Sequence, residues 1–98
     1  MSEQPARRNV PQVTVILCDP LRRLFPEAPV RNQIHASSVD HMLDELDRKW
    51  PGMRDRLADT SPAIRPHISI FVDGVRASLD TALPDRTDVY VLTAMSGG

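Results

Sequence analysis

The longest periodic stretch in the sequence is one amphipathic helix, and it limits the fold more than anything else in the chain. Val39, Leu43, Leu46 and Trp50 fall at i, i+4, i+7 and i+11, with Met42 beside them, so one side of the helix is apolar and the other wet. Ser37-Ser38-Val39-Asp40 supplies the start, with a serine to cap free N–H groups and an acid in the first turn to complement the helix dipole. Asp44/Arg48 and Glu45/Lys49 are spaced as i,i+4 ion pairs on the wet side, and Pro51-Gly52 ends the helix. A helix with a single apolar stripe needs a second layer to bury it. The other apolar runs are short, β-branched and alternating, so that layer is a sheet.

The runs order themselves around the helix. Residues 13–18 form a strand with Val13, Val15 and Leu17 on one face, ended by Asp19-Pro20. Leu21 and Leu24 pack inward from the loop that follows, while Arg22 and Arg23 stay in water. Residues 26–29 turn the chain, and residues 30–36 alternate as a second, half-exposed strand antiparallel to the first. After the helix, residues 53–59 form a short second helix that holds Leu57 inward, and Thr60-Ser61-Pro62 is loop. Residues 67–72 are a strand with Ile68, Ile70 and Val72 on the core face, closed by Asp73-Gly74, a strong hairpin signal. Residues 75–79 return as a short strand, residues 81–84 make a tight connection, and Asp85-Arg86-Thr87-Asp88 turns into the final strand.

The crossover between the second and third strands is long, which suits a mixed sheet with the first and last strands side by side in its middle. The expected fold class is α+β, a mixed sheet packed on one main helix. In the last strand Val89 and Val91 face the core, which leaves Tyr90 and Leu92 on the other face with Phe71. Three exposed apolar side chains on a small domain mark an interaction site. A second layer or the leader over them, or a strand phase slipped by one residue, would bury them instead.

Composition narrows the function. At 98 residues the chain is one domain, and a formal net charge of −1 with acids and bases in balance shows no basic stripe for nucleic acid or membrane surfaces. No apolar run approaches a membrane span, and the single cysteine, Cys18, forms no internal disulfide, so the expected setting is cytoplasmic. Residues 1–12 are polar and proline-punctuated and read as a disordered leader, leaving residues 13–98 as the domain. Cys18 reads as a small core residue at a strand end. His35, His41 and His67 lack metal-ligand spacing, and Asp40, Asp44 and Asp47 read as the wet helix face rather than an acidic catalytic cluster.

The final stretch, Val89-Tyr90-Val91-Leu92-Thr93-Ala94-Met95-Ser96-Gly97-Gly98, runs from a strand directly into two glycines. Taken with the Val13-Thr14-Val15 strand and Leu21-Arg22, the Ser38-Val39 helix start, Ile68-Ser69-Ile70-Phe71-Val72-Asp73-Gly74 and Leu83…Asp88-Val89, it resembles the β-grasp, ubiquitin-like sulfur carriers. That family includes the molybdopterin synthase small subunit and the carriers of thiamine and cysteine synthesis, and the resemblance spans about residues 13–98. One departure is the Asp85-Arg86-Thr87-Asp88 turn, which lacks the glycine often found there and so calls for a conformation open to residues with a Cβ, such as type I.

The resemblance implies that Gly98 is the covalent attachment point, adenylated and then converted to a thiocarboxylate, with Gly97, Ser96 and Met95 forming the tail. It implies no bound cofactor, since ATP is used by a partner activating enzyme. It implies no catalytic residue in this chain, which would be a monomeric co-substrate for that enzyme and for a synthase large subunit or other sulfur-accepting enzyme. Phe71, Tyr90 and Leu92 would be the partner-binding residues. Two other readings stay open: a protein modifier that forms isopeptide bonds through Gly98, and a non-covalent β-grasp binding module.

Overall fold

The computed structural model of the chain describes residues 10–94, so the expected tail and most of the expected leader lie outside the described residues. Ten elements follow in order: β1 (Gln12–Leu17), α1 (Asp19–Leu24), β2 (Arg31–His35), α2 (Val39–Lys49), α3 (Met53–Leu57), β3 (Ala58–Asp59), β4 (Ala63–Ile64), β5 (Ile68–Val72), β6 (Val75–Arg76) and β7 (Thr87–Thr93). Five of them form one sheet in the order β2-β1-β7-β5-β6, and β3 and β4 pair as a second, two-stranded sheet. The first and last strands are central neighbours and run parallel, Val13 opposite Thr87 through Leu17 opposite Val91. The other pairings of the main sheet are antiparallel. The architecture is the expected α+β two-layer one.

Alternation in the strands supplies the sheet's half of the core: Val13, Val15 and Leu17 from β1, Ile68, Ile70 and Val72 from β5, and Val89 and Val91 from β7 are all buried. Helix α2 lays Val39, Met42, Leu43 and Leu46 on them, each fully buried. Removing one such leucine side chain forfeits both its transfer energy and the contacts around it, about 2–5 kcal/mol. Trp50 caps the helix end and packs half-buried against the same core, with its indole Nε1 buried and without a hydrogen-bond partner among the described residues.

The N-terminus of α2 explains where residues 75–79 go. Ser38 Oγ accepts from the His41 N–H at 3.1 Å, as its sequence position suggests. The Asp40 and Val39 N–H groups donate to the carbonyls of Leu79 (2.8 Å) and Thr81 (3.0 Å). The return strand expected over residues 75–79 is therefore only Val75–Arg76, followed by one bond from Ala77 N–H to the Ile70 carbonyl. The chain then leaves the sheet because its carbonyls satisfy the orphan donors of the helix.

Other expectations are corrected by contacts that local pattern does not encode. Residues 19–24 are a helix rather than a loop, started by Pro20, which has no N–H to lose in a first turn, and closed by Arg22 and Arg23 in its last turn. Leu21 is 2% exposed, but Leu24 is 51% exposed, because Phe25 packs against the core in its place. The short second helix stops at Leu57, and Ala58–Asp59 enters the two-stranded sheet. On α2, Asp44 pairs with Arg54 (3.1 Å) rather than Arg48, and Glu45 lies near Arg48 (3.9 Å) and His41 (3.4 Å) rather than Lys49. Arg54 also pairs with Asp40 (2.6 Å), and Asp47 Oδ1 accepts from the N–H groups of Gly52 and Arg54. The three helix aspartates thus hold α3 against α2. The hydrogen bond and charge of Asp40 raise the Arg54 pKa further above its ordinary value.

Besides Gly52 between α2 and α3 (φ 97°), two turns take left-handed backbone. In Asp73-Gly74 both φ angles are positive (52° and 82°), as a two-residue type I′ hairpin requires. Before β7 it is Arg86 that sits at φ 61°, so the glycine-free turn does not use the expected type I conformation. Its backbone is held there by Arg86 N–H on the Gln12 carbonyl (2.7 Å) and by the Asp85 carboxylate on the Gln12 N–H (2.8 Å). A left-handed non-glycine residue costs roughly 1–2 kcal/mol, part of which the greater freedom of an unfolded glycine offsets. Arg86→Gly is therefore expected to stabilise the fold by about 0.5–1 kcal/mol and Arg86→Val to weaken it by about 1 kcal/mol or more, read from urea unfolding midpoints.

The turn between β3 and β4 carries a pH-dependent element. The Asp59 carboxylate accepts from the Ser61 hydroxyl, from Ser61 N–H (2.9 Å) and from Ala63 N–H (3.1 Å). These bonds, the Ser61 hydroxyl first, hold its pKa below the ordinary carboxylate value. A depressed folded-state pKa adds stability above the unfolded value, near 4, that is lost as pH falls through the folded one. Asp59→Asn should accordingly lower the unfolding midpoint at neutral pH, and the difference between the two chains should shrink as pH falls through the folded-state pKa of Asp59.

Candidate functional site: the outer face of the sheet

The sheet has one face under the helices and one toward solvent. On an antiparallel or mixed sheet of this kind the solvent face is ordinarily polar. Here it carries Tyr90 and Leu92, 41% and 39% exposed, on β7, with the half-buried Phe71 on β5 and Ile16 on β1. Their orientation follows from the burial of their neighbours Val15, Leu17, Ile70, Val72, Val89 and Val91, which fixes the phase of all three strands. Phe71, Tyr90 and Leu92 are thus brought together on one face. Met95, Ser96, Gly97 and Gly98 lie outside the described residues.

Register turns these side chains into a row. Ile16 stands opposite Arg31 on β2 and opposite Tyr90 on β7. Tyr90 stands opposite Phe71, and Phe71 opposite Arg76 on β6. The row therefore crosses all five strands as Arg31, Ile16, Tyr90, Phe71, Arg76, with apolar groups in the middle and a guanidinium at each end. At about 4.8 Å per strand the two arginine backbones are roughly 19 Å apart. Both arginines are exposed, and neither makes an ion pair or side-chain hydrogen bond among the described residues. One step toward the N-terminal end of β7 the face turns polar, with Thr14 between Gln33 and Asp88. One step toward its C-terminal end, Leu92 opposite Ser69 continues the apolar surface to the last described residues.

Sequence pattern found Phe71, Tyr90 and Leu92 but not Ile16, Arg31 or Arg76. Alternation in β1 was the signal that could have added Ile16, whereas only cross-strand register sets the two arginines at the ends of the row. Cys18 is half-buried, its Sγ 3.7 Å from the Thr93 hydroxyl beside the end of β7. His41 accepts from the Ser37 N–H at Nδ1 (3.2 Å) and faces Glu45 with Nε2 (3.4 Å), which fixes its neutral tautomer as the Nε2–H form. Among the described residues no three His, Cys, Asp or Glu side chains are grouped to hold a metal ion. No helix among them is long and apolar enough to cross a membrane.

No protein-family model matches the sequence, and neither does any curated protein. Solved structures do match. The chain is similar to a chain of the BexX/CysO complex from Amycolatopsis orientalis, at TM-score 0.78 and 20% identity over 88% of this chain and 99% of that one. It is similar to SAMP1 from Haloferax volcanii, at TM-score 0.76 and 19% identity over 89% and 99%. A putative molybdopterin converting factor, subunit 1, from Pyrococcus furiosus matches at TM-score 0.65 and 18% identity over 87% and 99%. The fold is the ubiquitin-like β-grasp, and these structures fall within the group of small β-grasp proteins that the sequence resembles.

The outer face and the core draw on the same strands but contribute unequally to the fold. Replacing Tyr90 or Leu92 by serine should move stability by no more than about 1 kcal/mol, because each is already two-fifths in water. Val91→Ala, between them and facing the core, should cost about 2 kcal/mol in the same urea titration.

Proposed function

We propose that the chain is a sulfur carrier, adenylated and then thiocarboxylated at Gly98, and that the outer face docks the enzymes that load and unload it. The observation that carries this reading is the apolar surface centred on β7, Tyr90 with Ile16 and Phe71 on either side and Leu92 beyond it, on the strand whose sequence leads into Ser96-Gly97-Gly98. A docking surface on the strand that precedes the reacting end in the sequence lets a partner grip the body while the tail enters its active site.

The chemistry asks little of the carrier itself. The Gly98 carboxylate attacks the α-phosphorus of ATP and pyrophosphate leaves, which converts a poor electrophile into a mixed anhydride. A sulfur nucleophile supplied by the partners then displaces AMP, and the thiocarboxylate passes its sulfur to a biosynthetic acceptor. Glycine at the reacting position leaves the carbonyl unhindered, and Gly97 allows close approach of backbone to nucleotide. ATP and the catalytic groups belong to an activating enzyme and to a synthase large subunit or other sulfur-accepting enzyme, so the chain is a co-substrate and works in the cytoplasm with them. Likeness to a putative molybdopterin converting factor subunit and to a chain of the BexX/CysO complex supports a biosynthetic acceptor. Likeness to SAMP1, a small archaeal modifier protein, favours one alternative, in which Gly98 forms isopeptide bonds with lysines of target proteins.

Intact mass spectrometry of the chain from its native cells separates these. The carrier reading expects one oxygen exchanged for sulfur at Gly98, lost when Gly97 and Gly98 are deleted, with the unfolding midpoint unchanged. Lysine-linked conjugates without any thiocarboxylate would assign the modifier role. A chain that shows neither, and whose deletion of the two glycines leaves cells unaffected, would be a non-covalent module.

A further inference from the structure

The two edges of the main sheet differ. At the β6 edge the chain turns away to serve helix α2. At the other edge, β2 runs Arg31–His35 in unbroken register with β1, without a proline or a bulge. Two bonds fix which backbone groups it has left. Leu17 N–H donates to the Val30 carbonyl (2.9 Å) and Ala36 N–H to the Pro11 carbonyl (3.0 Å), so the even-numbered residues of this segment face β1. The N–H and C=O groups of Arg31, Gln33 and His35 therefore point out of the sheet, and none has a backbone partner among the described residues. Natural sheets blunt such edges with charge, prolines, bulges or a covering element; among the described residues β2 has only the charge of Arg31.

Beside this edge lies a groove of about 450 Å³, bounded by Gln33, Ile34 and His35 on β2 and by His41, Arg48 and Lys49 on α2. Glu45 also lines it, but its carboxylate is engaged by His41 Nε2 (3.4 Å) and Arg48 Nε (3.9 Å). The groove therefore offers strand-edge hydrogen bonds, a buried isoleucine at its floor and an excess of positive charge.

Charge selects among three occupants. Residues 1–9 enter the fold through Val10, which lines the groove, but they carry Arg7 and Arg8 against Glu3 and so share its sign. A second copy would bring the same Arg48 and Lys49 to the edge, and pairing antiparallel about Gln33 would leave Arg31 of each chain opposite His35 of the other, with no acid to meet it. An acidic segment meets neither obstacle. We propose that the β2 edge is a second recognition site, which takes an extended acidic peptide of a partner protein by strand addition, with its carboxylates on Arg48 and Lys49. This mode takes affinity from main-chain bonds and specificity from alternate side chains and charge. It uses neither Gly98 nor the outer face and stands apart from the carrier reading.

The probe is a synthetic peptide in which Val-Thr-Val-Thr-Val is followed by four aspartates, titrated into the full-length ¹⁵N-labelled chain. Amide signals of Arg31, Gln33 and His35 should shift and their hydrogen exchange should slow about tenfold, while those of Asn32 and Ile34, already bonded to β1, should change little. Replacing the aspartates by lysines should weaken binding about tenfold, and Arg48→Glu with Lys49→Glu should reverse that preference. Gln33→Pro removes one outward N–H but no bond to β1, and should weaken binding about tenfold while the far-ultraviolet spectrum is kept. Shifts confined to the Tyr90 face or to the β5–β6 edge, or equal binding of both peptides, would overturn the proposal. So would a dimer in sedimentation with the Arg31, Gln33 and His35 amides already protected, or deletion of residues 1–9 producing the same shifts without peptide.

Discussion

The parallel pairing of Gln12–Leu17 with Thr87–Thr93 is the constraint on which the rest depends. It joins the two strands furthest apart in the sequence, and it places both in the centre of the sheet, where each is hydrogen-bonded on two sides. Loop-closure entropy opposes bringing them together, but only as the logarithm of the intervening length. Val13, Val15, Leu17, Val89 and Val91 oppose it with five side chains that are almost wholly removed from water. Because the pairing is parallel, β1 and β7 also leave the sheet at the same end. Cys18 and helix α1 therefore lie beside Thr93, which braces the end of β7.

Helix α2 is fixed to that sheet at two levels, and only one of them is written in local pattern. Its apolar stripe is visible as a spacing of residues, and so were the strands whose side chains alternate: β1, β2, β5 and β7, with the Asp73-Gly74 turn. Of the two carbonyls that satisfy its first N–H groups, that of Thr81 lies in the expected connection, but that of Leu79 comes from a segment whose sequence favours a strand, and it wins because an uncapped helix end is costlier than unmade ladder bonds. Helix α1 was not legible for a different reason. Six residues are too few for a helical period to show, and Pro20 reads as a terminator until one sees that it lies in the first turn. Arg86 is the third kind of case, a left-handed residue imposed by bonds to Gln12, seventy-odd positions earlier, at a place where nothing nearby asks for it.

The same division holds for the candidate site. Strand phase alone put Phe71, Tyr90 and Leu92 on one face, because phase needs only the period of two. The arginines that frame them depend on which residue stands opposite which, and register is set by long-range pairing. Tyr90 and Leu92 alternate with Val89 and Val91, so one strand is both the centre of the core and the centre of the exposed face. Anything that shifted β7 by one residue would bury the face and expose the core together, which ties the integrity of the surface to that of the fold.

The outer face and the β2 edge meet at Arg31. Its side chain ends the apolar row, while its backbone N–H and carbonyl belong to the open edge. A strand added beyond β2 would extend the row by one residue, and the side chain it placed opposite Arg31 would share the outer face. A carboxylate there would pair with the guanidinium across strands, an interaction of about 0.2–1 kcal/mol, and withdraw that charge from whatever docks on Tyr90 and Phe71. A neutral side chain would leave it free. Occupancy of the edge would thus be felt at the docking face through one residue, without any change in backbone, and its sign would depend on the residue opposite Arg31.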